Sequence, residues 1–501
     1  MANPLYDALI KPHLENEAVF LVTDQGDEIS FASFAQMSGR IASVLIEAGL
    51  KPGDRLVSYT PKTPETLALY VGVIQAGGVY LPLNTSYTAS ELDYFITDAS
   101  PSVIVCSHGD LEGLADLSKK VGAKVLTIDP DGSGTVRDMS GTARVAGVVD
   151  RSESDLAGLL YTSGTTGRSK GAMLSQMNLL SNAEVLAEHW AITERDHLIH
   201  ALPIFHTHGL FVAINSCLLA GASMRFMASF DVDRIIAALP QATLMMGVPT
   251  FYTRLLGQEA FDRALVSNMR LFISGSAPLL AETHEAFERR TGHRILERYG
   301  MTETNMNTSN PYEGARKAGT VGRPLPGVEV IVAGPDGVAL EQGEIGMVEV
   351  RGPNVFQGYL NMPEKTAEEL RDTGFFITGD LGQFDAQGYL SIVGREKDLI
   401  ITGGFNVYPK EIEDVLNDID GVLESAVFGV PDADFGEKIV ASVVLDGDVS
   451  EAVMRAAVEG DLARFKHPRV YQVMEALPRN TMGKVQKNVL KQEFVASASP
   501  A

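Results

Sequence analysis

Hydrophobic positions in the first part of the chain alternate between helical and strand spacing. Apolar residues recur every three or four positions after Ser30, which can cap a helix, and Gly49 ends that stretch. The segments that follow are short and apolar, as in buried parallel strands. Strands are predicted at residues 55–59, 79–83, 103–106 and 125–129, and a further helix at residues 64–75. This βα alternation predicts a parallel sheet with helices on its faces.

The same pattern continues to about residue 320 and then changes. Strand-length apolar runs recur at residues 244–248, 271–274 and 295–299. From residue 320 to about 396, Val and Ile alternate between Gly, Pro and Asp turns, which predicts antiparallel hairpins. Further along, helices are predicted at residues 409–416 and 450–463, and strands at residues 426–429, 439–445 and 470–474. The chain is therefore predicted to be an α/β protein with a large doubly wound region, a small β-rich subdomain and an α+β C-terminal domain.

The composition is that of an acidic globular protein. The 501 residues include 41 Lys and Arg against 64 Asp and Glu, a net charge of −23 at pH 7. This charge argues against a general binder of nucleic acids or anionic membranes, because both require a positive surface. We expect a soluble protein without a secretory signal, and the longest uncharged apolar stretch, residues 209–224, is too short to span a membrane and is predicted to be a buried helix. Cys106 and Cys217 are the only cysteines, which favours a reducing, cytoplasmic location over a disulfide framework or a thiolate zinc site.

The most distinctive local signal is YTSGTTGRSKG at residues 161–171, after an apolar run at residues 156–160. Its glycines allow backbone N–H groups to turn toward an anion, its hydroxyls can donate to oxygens, and Lys170 adds positive charge. This combination indicates polyphosphate binding, with a polar surface loop as the alternative. The segment is not a Walker A loop, because two residues separate Gly167 from Lys170 and Gly171 follows in place of Ser or Thr.

Several further motifs, together with this loop, carry a resemblance to a known family. They are, in order, ALPIFHTHG at 201–209, SGSAPL at 274–279, ERYGMTET at 297–304, TGD at 378–380, GREKDLI at 394–400, GGFNVYPKEIE at 403–413 and PRNTMGKVQK at 478–487. The chain resembles the adenylate-forming superfamily of acyl-CoA synthetases, and within it most closely the malonyl-CoA synthetases. Ser169 departs from the proline of many members. The resemblance implies an AMP-binding N-terminal domain over residues 1–396, with its β-rich subdomain at about 320–396, and a mobile C-terminal domain over residues 397–501 that turns about a hinge at Lys397.

The resemblance also implies a set of ATP-binding residues. Tyr299 is suited to stack on adenine, with a core tyrosine as the alternative. Thr302 can bind the α-phosphate, and the carboxylate of Glu303 is suited to Mg²⁺, a hard cation that takes oxygen ligands. Asp380 resembles the acid that accepts hydrogen bonds from the ribose, and Arg395 its partner on ribose or phosphate, with a surface ion pair as the alternative. The other implied ATP contacts are Thr162, Ser163, Gly164, Thr165, Thr166, Lys170, Ala277 and Lys484.

A basic segment surrounds Lys484 near the end of the chain. Residues 464–491 contain seven Lys or Arg and one acid, although the whole chain is acidic. The segment is therefore either a solvated basic face or one that approaches phosphates. In the family the matching lysine bridges the acid substrate and the α-phosphate, so Lys484 is predicted to be catalytic together with Thr302 and Glu303. A lysine acetyltransferase acting on Lys484 would remove its charge, and Gly403 and Gly404 are predicted to line the path of CoA after the C-terminal domain rotates.

The identity of the acid is indicated by polar residues in segments that form the acid pocket of the family. These segments contain His206, Arg254, Ser276 and Arg298. Because an unpaired buried cation is costly, two arginines favour an anionic acid over a fatty tail, with a salt bridge between Arg298 and Glu297 as the alternative. The sequence thus predicts an ATP- and Mg²⁺-dependent malonate:CoA ligase that forms AMP and pyrophosphate through malonyl-adenylate. The alternatives are a ligase for methylmalonate, another short acid or a longer chain, a subunit that loads a carrier protein, and a non-catalytic nucleotide sensor of the same fold.

Overall fold

Four β-sheets organise the chain, of which the computed structural model describes residues 3–162, 169–402, 405–432, 435–480 and 483–498. The architecture is mixed α/β, as predicted. In the described residues, α-helices span Pro4–Leu9, Phe31–Glu47, Pro64–Gln75, Ala89–Ala99, Leu111–Val121, Thr135–Ser140, Gln176–His189, Asn215–Ala220, Val232–Ala238, Pro249–Leu256, Ala281–Thr291, Pro363–Glu369, Pro409–Asn417, Glu451–Asp461 and Lys487–Ala498. None of the helices in these ranges is long and apolar enough to cross a membrane.

The first sheet has six strands and holds the glycine-rich segment at its edge. In spatial order the strands are Lys124–Thr127, Val103–Cys106, Arg55–Tyr59, Val79–Pro82, Leu156–Thr162 and Lys170–Ser175. All neighbours are parallel except the last two strands, in which Thr162 pairs with Lys170. The glycine-rich segment is thus followed by an antiparallel strand, whereas a Walker A loop is followed by a helix.

The second sheet has nine strands and is parallel in its centre. In spatial order they are Arg323–Pro324, Asn305–Ser309, Leu296–Met301, Leu271–Ser274, Leu244–Gly247, His197–His200, Ser223–Phe226, Val19–Val22 and Glu28–Ser30. The first two strands and the last are antiparallel to their neighbours. Because parallel strands end at the same edge of a sheet, the segments after His200, Gly247 and Ser274 come together, and ligands of open α/β sheets bind at such an edge.

Two smaller sheets follow. An antiparallel sheet consists of Glu329–Ala333, Gly346–Arg351, Phe376–Phe384 and Leu390–Arg395. A five-stranded sheet consists of Phe405–Val407, Ile400–Thr402, Gly436–Leu445, Val422–Asp432 and Val470–Met474. The chain passes from one sheet to the other through a short 3₁₀ turn, Glu396–Asp398. The division into domains at residue 397 stays a prediction.

One hydrophobic core joins the two large sheets. Tyr70, from the helix Pro64–Gln75, lies against Tyr80 of the first sheet and Phe211, with ring centroids 5.3 and 5.8 Å away. Its hydroxyl donates to Asn215 Oδ1 over 3.1 Å, so the polar group of this buried ring is satisfied. The five-stranded sheet has separate cores on its two faces.

Most predicted elements of this fold are present, and the differences lie at their ends. Ser30 accepts a hydrogen bond from Ser33 N and caps the helix Phe31–Glu47, as predicted. The apolar stretch 209–224 is buried but is not one helix: a π-helical segment, His208–Ile214, continues into Asn215–Ala220. Gly221 ends it with a φ of 71°, and the next strand begins at Ser223.

Candidate active site

Tyr299, Asp380 and Arg395 form a hydrogen-bonded group between the nine-stranded and the antiparallel sheet. The Tyr299 hydroxyl donates to Asp380 Oδ2 over 2.6 Å, and Arg395 Nε pairs with Asp380 Oδ1 over 2.8 Å. Asp380 and Arg395 face each other on adjacent strands, so the register of the sheet sets this ion pair. Asp380 is buried, so the pair is not on the open surface. Its two oxygens keep lone pairs for further donors such as ribose hydroxyls.

Lys484 lies in a turn that rests against the N-terminal part of the chain. Its backbone N donates to Asn480 Oδ1 over 3.0 Å, and Asn480 N donates back to Lys484 O over 2.9 Å. The adjacent Gly483 has a φ of 75°, and a Cβ at this position would lie 3.5 Å from Thr250 Oγ1. This close approach to the helix Pro249–Leu256 brings Lys484 to the Tyr299 group.

Three cations, Lys484, Lys397 and Arg395, lie close together where the turn that carries Lys484 meets Tyr299 and Asp380. Loss of solvent contact and the charge of Arg395 lower the pKa of Lys484, while Asp380 and Asp398 oppose the shift. Partial burial and Arg395 likewise lower the pKa of Lys397 to about 8. Each cation destabilises the others, so the cluster favours a polyanion in its midst. A triphosphate supplies that charge.

Glu303 and Lys170 meet through Tyr359. The Tyr359 hydroxyl lies 3.0 Å from Glu303 Oε1 and 2.6 Å from Glu369 Oε2. Lys170 Nζ lies 3.0 Å from that hydroxyl and from both oxygens of Glu369. Glu369 therefore neutralises Lys170, whereas Glu303 forms no ion pair within the described ranges. Burial raises the pKa of Glu303 because nothing offsets its charge fully.

Glu303 fits the role of a magnesium ligand in chemical terms. It is a buried carboxylate, and the ion pair of Lys170 is made with Glu369 instead. No group of three or more His, Cys, Asp or Glu that could hold a metal occurs in the part of the chain that the structure describes. A single protein carboxylate with phosphate oxygens as further ligands is the usual arrangement for Mg²⁺.

The structure describes only some of the other residues that were predicted to bind ATP. Thr302 lies beside Glu303 in the turn between the strands Leu296–Met301 and Asn305–Ser309, and Ala277 is partly exposed. Thr162 Oγ1 donates to Lys170 O over 3.4 Å. Ser163, Gly164, Thr165, Thr166, Gly403 and Gly404 lie outside the described residues, so their predicted roles stay predictions.

Arg298 is buried, and no counter-ion pairs with it among the described residues. Its side chain projects toward Gly275, where a Cβ would lie 2.4 Å from the guanidinium Cζ. Its Nε and Nη2 have no hydrogen-bond partner among the described residues. Burial lowers the pKa of Arg298 to about 9, because a charge without a partner is costly in the interior. Arg298 thus lacks an anion.

Neutral polar groups complete the surroundings of Arg298. Burial and the charge of Arg298 lower the pKa of His206 to about 4 and that of His208 well below its usual value, so both rings are uncharged at pH 7. Ser276 Oγ lies 3.2 Å from His208 Nδ1. In the described part, His208 Nε2 and Ser274 Oγ have no partner. The surroundings of Arg298 therefore offer one cation and several neutral polar groups.

Two residues considered at the sequence level lie apart from this pocket. Glu297 accepts a hydrogen bond from Leu279 N over 3.2 Å, and it forms no salt bridge with Arg298 in the described ranges. Burial raises the pKa of Glu297 to about 7. Arg254 is exposed on the helix Pro249–Leu256, with its guanidinium 5.6 Å from the Phe230 ring. The structure therefore brings together His206, Ser276 and Arg298, but not Arg254.

The sequence patterns did not single out Tyr359, Glu369 or Gly275 for this site. Tyr359 and Glu369 stand ten positions apart, on either side of a turn in which Asn361 has a φ of 56°. Glu369 ends the helix Pro363–Glu369 and Tyr359 lies before that helix, so no single helix or strand pattern relates the two residues. Gly275 was visible as the glycine of SGSAPL, although its value lies in the room that it leaves for Arg298.

Comparisons with known proteins agree with this arrangement. The family model described as AMP-binding enzyme matches residues 11–360, and that described as AMP-binding enzyme C-terminal domain matches residues 411–484. The malonate–CoA ligase of Arabidopsis thaliana is 35% identical over 486 residues, which cover 89% of this chain and 79% of the ligase.

Solved structures also distinguish two arrangements. The ATP-bound crystal structure of MatB from Rhodopseudomonas palustris is 53% identical and superposes with a TM-score of 0.98 over 100% of both chains. The apo structure of the same protein, again 53% identical over 100% of both chains, gives a TM-score of 0.86. The arrangement described here is therefore closer to the ATP-bound form.

Proposed function

The chain belongs to the AMP-binding enzyme family and is an AMP-forming acid–CoA ligase, and we propose that the acid it activates is malonate. The observation that supports malonate is Arg298, a buried guanidinium with two nitrogens that have no partner among the described residues. One carboxylate of malonate must react at the nucleotide, and the second would pair with this cation. A fatty or aromatic tail would leave Arg298 desolvated and unpaired, which costs several kcal/mol.

In the first half-reaction, a carboxylate oxygen of malonate attacks the α-phosphorus of ATP. The bond between the α-phosphorus and the pyrophosphate oxygen breaks, and malonyl-adenylate forms. Tyr299 and Asp380 would hold adenine and ribose, while Thr302 and Lys484 stabilise the negative charge that accumulates at the α-phosphate. Arg298 holds the far carboxylate, and this positions the near one for attack. Mg²⁺, held by Glu303, would neutralise charge on the phosphates.

In the second half-reaction, the thiol of CoA adds to the carbonyl carbon of malonyl-adenylate, loses its proton, and displaces AMP. Lys484 and the thiol approach the same carbon region, so the turn that carries Lys484 must withdraw. We propose that the C-terminal domain rotates about Lys397 and brings Gly403 and Gly404 to the CoA path. The different TM-scores with the two MatB structures, 0.98 and 0.86, support two arrangements of this fold.

Two further proposals concern the setting of the enzyme. A lysine acetyltransferase acting on Lys484 would remove the charge that adenylation requires. Cys106 and Cys217 are both buried and free, which fits a cytoplasmic location. Neither thiol takes part in the reaction.

A panel of acids tests the proposed substrate. Release of pyrophosphate is measured with malonate, methylmalonate, acetate and octanoate, with and without CoA. We expect malonate to be the best substrate and acetate and octanoate to be much poorer. Faster turnover of methylmalonate would make that acid the substrate, and ATP binding without turnover of any acid would favour the nucleotide sensor.

A further inference from the structure

Lys62 is a cation that the reaction described above does not use. It lies between the strand Arg55–Tyr59 and the helix Pro64–Gln75, which is capped by Thr63. Its Nζ lies 2.8 Å from His200 Nδ1, 2.9 Å from His200 O and 2.9 Å from Leu202 O. The Nζ also lies 4.5 Å from the centroid of the Phe226 ring. No carboxylate pairs with it in the described ranges.

These contacts occupy the whole ammonium group. Two carbonyl oxygens and an unprotonated imidazole nitrogen each accept one hydrogen, and this geometry requires the three hydrogens of an ammonium even though burial lowers the pKa of Lys62 well below its usual value. Lys62 therefore has no hydrogen left for a substrate. Its hydrogen bonds instead connect the first sheet to the segment that follows the strand His197–His200 of the second sheet.

His200 connects Lys62 to Gly209, at the far end of the segment that carries His206 and His208. Because Nδ1 accepts from Lys62, the ring proton is on Nε2, which donates to Gly209 O over 2.8 Å. Burial and Lys62 lower the pKa of His200 to about 3, so the ring is neutral. Gly209 is packed tightly: a Cβ there would lie 2.1 Å from Pro203 O. The hydrogen bonds from Lys62 to His200 and from His200 to Gly209 thus fix both ends of the segment 200–209. We call these two residues the relay.

We propose that Lys62 and His200 are positioning residues for the acid pocket, because the segment that they fix carries His206 and His208 to Arg298. This inference rests on the proposed function. Lys62 donates hydrogen bonds to the beginning of the segment and His200 donates one to its end, while Tyr299, Asp380 and Arg395 lie on other elements. The relay should therefore govern how well the acid is held and leave the ATP site unchanged.

Lys62→Met tests the relay, because methionine keeps the length of the side chain but not its charge or hydrogens. We expect the KM for malonate to rise about tenfold or more, equivalent to about 1.4 kcal/mol, with the KM for ATP within about twofold of wild type. Lys51→Met is the matched control, since Lys51 is exposed in the turn before the same strand. Lys62→Arg keeps charge and donors, and we expect it to recover part of the malonate affinity.

His200→Gln and the double variant show whether the two residues act through one path. A relay predicts that the combined rise in malonate KM is well below the product of the single effects. Equal rises in the KM for malonate and for ATP, or an unchanged malonate KM in folded Lys62→Met, would overturn the proposal. If Lys62→Met does not fold, the same comparison on Lys62→Arg and His200→Gln decides.

The two proposals fail in different ways. If wild-type enzyme does not use malonate, the proposed substrate is wrong, and the relay is then measured with the acid that wild type uses best. A relay that positions the pocket still raises the KM for that acid selectively.

Discussion

Arg298 is the side chain on which the proposed choice of acid depends. Only 3% of the residue is exposed, two of its nitrogens have no partner in the described part, and its neighbours His206 and His208 are neutral. The described residues therefore leave this desolvated charge without a partner, which is costly for folding. An anionic substrate removes this cost, whereas a neutral one does not.

Replacing Arg298 should remove malonate selectivity. A charge-assisted hydrogen bond is worth about 1.5 to 3 kcal/mol, so we expect Arg298→Met to lower kcat/KM for malonate roughly 10- to 150-fold. The KM for ATP should change little. Arg289→Met, in an exposed ion pair on the helix Ala281–Thr291, is the control. Normal malonate kinetics in Arg298→Met would show that the second carboxylate binds elsewhere.

Replacing Glu303 should change the requirement for magnesium. Glu303→Gln keeps an oxygen ligand but loses the charge, so we expect slower adenylation that higher Mg²⁺ concentrations partly restore. The measurement is pyrophosphate release as Mg²⁺ is titrated. Glu285→Gln, on an exposed helix position, is the control. A variant with wild-type Mg²⁺ dependence would place the metal on another group.

At the scale of elements, we expect the turn that carries Lys484 to serve only one half-reaction. We expect Lys484→Ala to abolish most formation of malonyl-adenylate, because the charge at the α-phosphate is no longer offset. Transfer to CoA from supplied malonyl-adenylate should be spared. Lys491→Ala, in the following helix Lys487–Ala498, is the control. Equal slowing of both half-reactions would make Lys484 a structural residue.

The elements were more predictable than the contacts between them. The strand Arg55–Tyr59 and the helix Pro64–Gln75 follow from local apolar spacing and caps, and both lie where predicted. The residue between them, Lys62, looks from the sequence like part of an ordinary turn. Its partner His200 is 138 positions away, and only the arrangement of two sheets brings them together. Spacing rules describe neighbours in the chain, so such pairs stay hidden.

For the site residues too, the sequence indicated the chemistry better than the position of each side chain. Tyr299, Asp380 and Arg395 were predicted through motif resemblance, and the structure brings these three together. Arg254 was predicted by the same reasoning from a nearby motif but lies exposed. Residue type and order indicate chemistry, whereas the direction of a helical side chain depends on which face of the helix packs inward.

For the whole molecule, movement about Lys397 should separate the two half-reactions. We expect Lys397→Pro to spare adenylation and to block transfer to CoA, because proline fixes φ near one value and removes the freedom to turn. Single-turnover assays of each half-reaction make the comparison. Lys397→Ala, which leaves the backbone free, is the control. If Lys397→Pro transfers to CoA at the wild-type rate, the hinge lies elsewhere.

Stability should fall as the solution becomes acidic. Burial lowers the pKa of eight histidines in the native state, whereas in the unfolded chain their pKa is near 6.5. The unfolded chain therefore binds protons that the native state does not. The eight are His13, His189, His197, His200, His206, His208, His284 and His293. Their contribution is present above pH 6.5 and is lost below it, by up to about 1.4 kcal/mol per histidine per pH unit. The raised pKa values of Glu297 and Glu303 act in the opposite direction, but they are two groups against eight.

Urea unfolding at pH 7.5 and pH 5.5 measures this effect. We expect a markedly lower free energy of unfolding at pH 5.5, with proton uptake on unfolding. Equal stability at the two pH values would contradict the prediction.

The strand Leu296–Met301 has a consequence for how such an enzyme can evolve. Arg298 projects to the acid pocket and the next residue, Tyr299, to Asp380 on the opposite side. An insertion or deletion of one residue here would exchange the two faces and destroy both sites together. We therefore expect a new acid specificity to arise at this strand by substitution and not by a change in the length of the strand. A substitution at position 298 leaves Tyr299 in place, so ATP binding is retained while the acid changes.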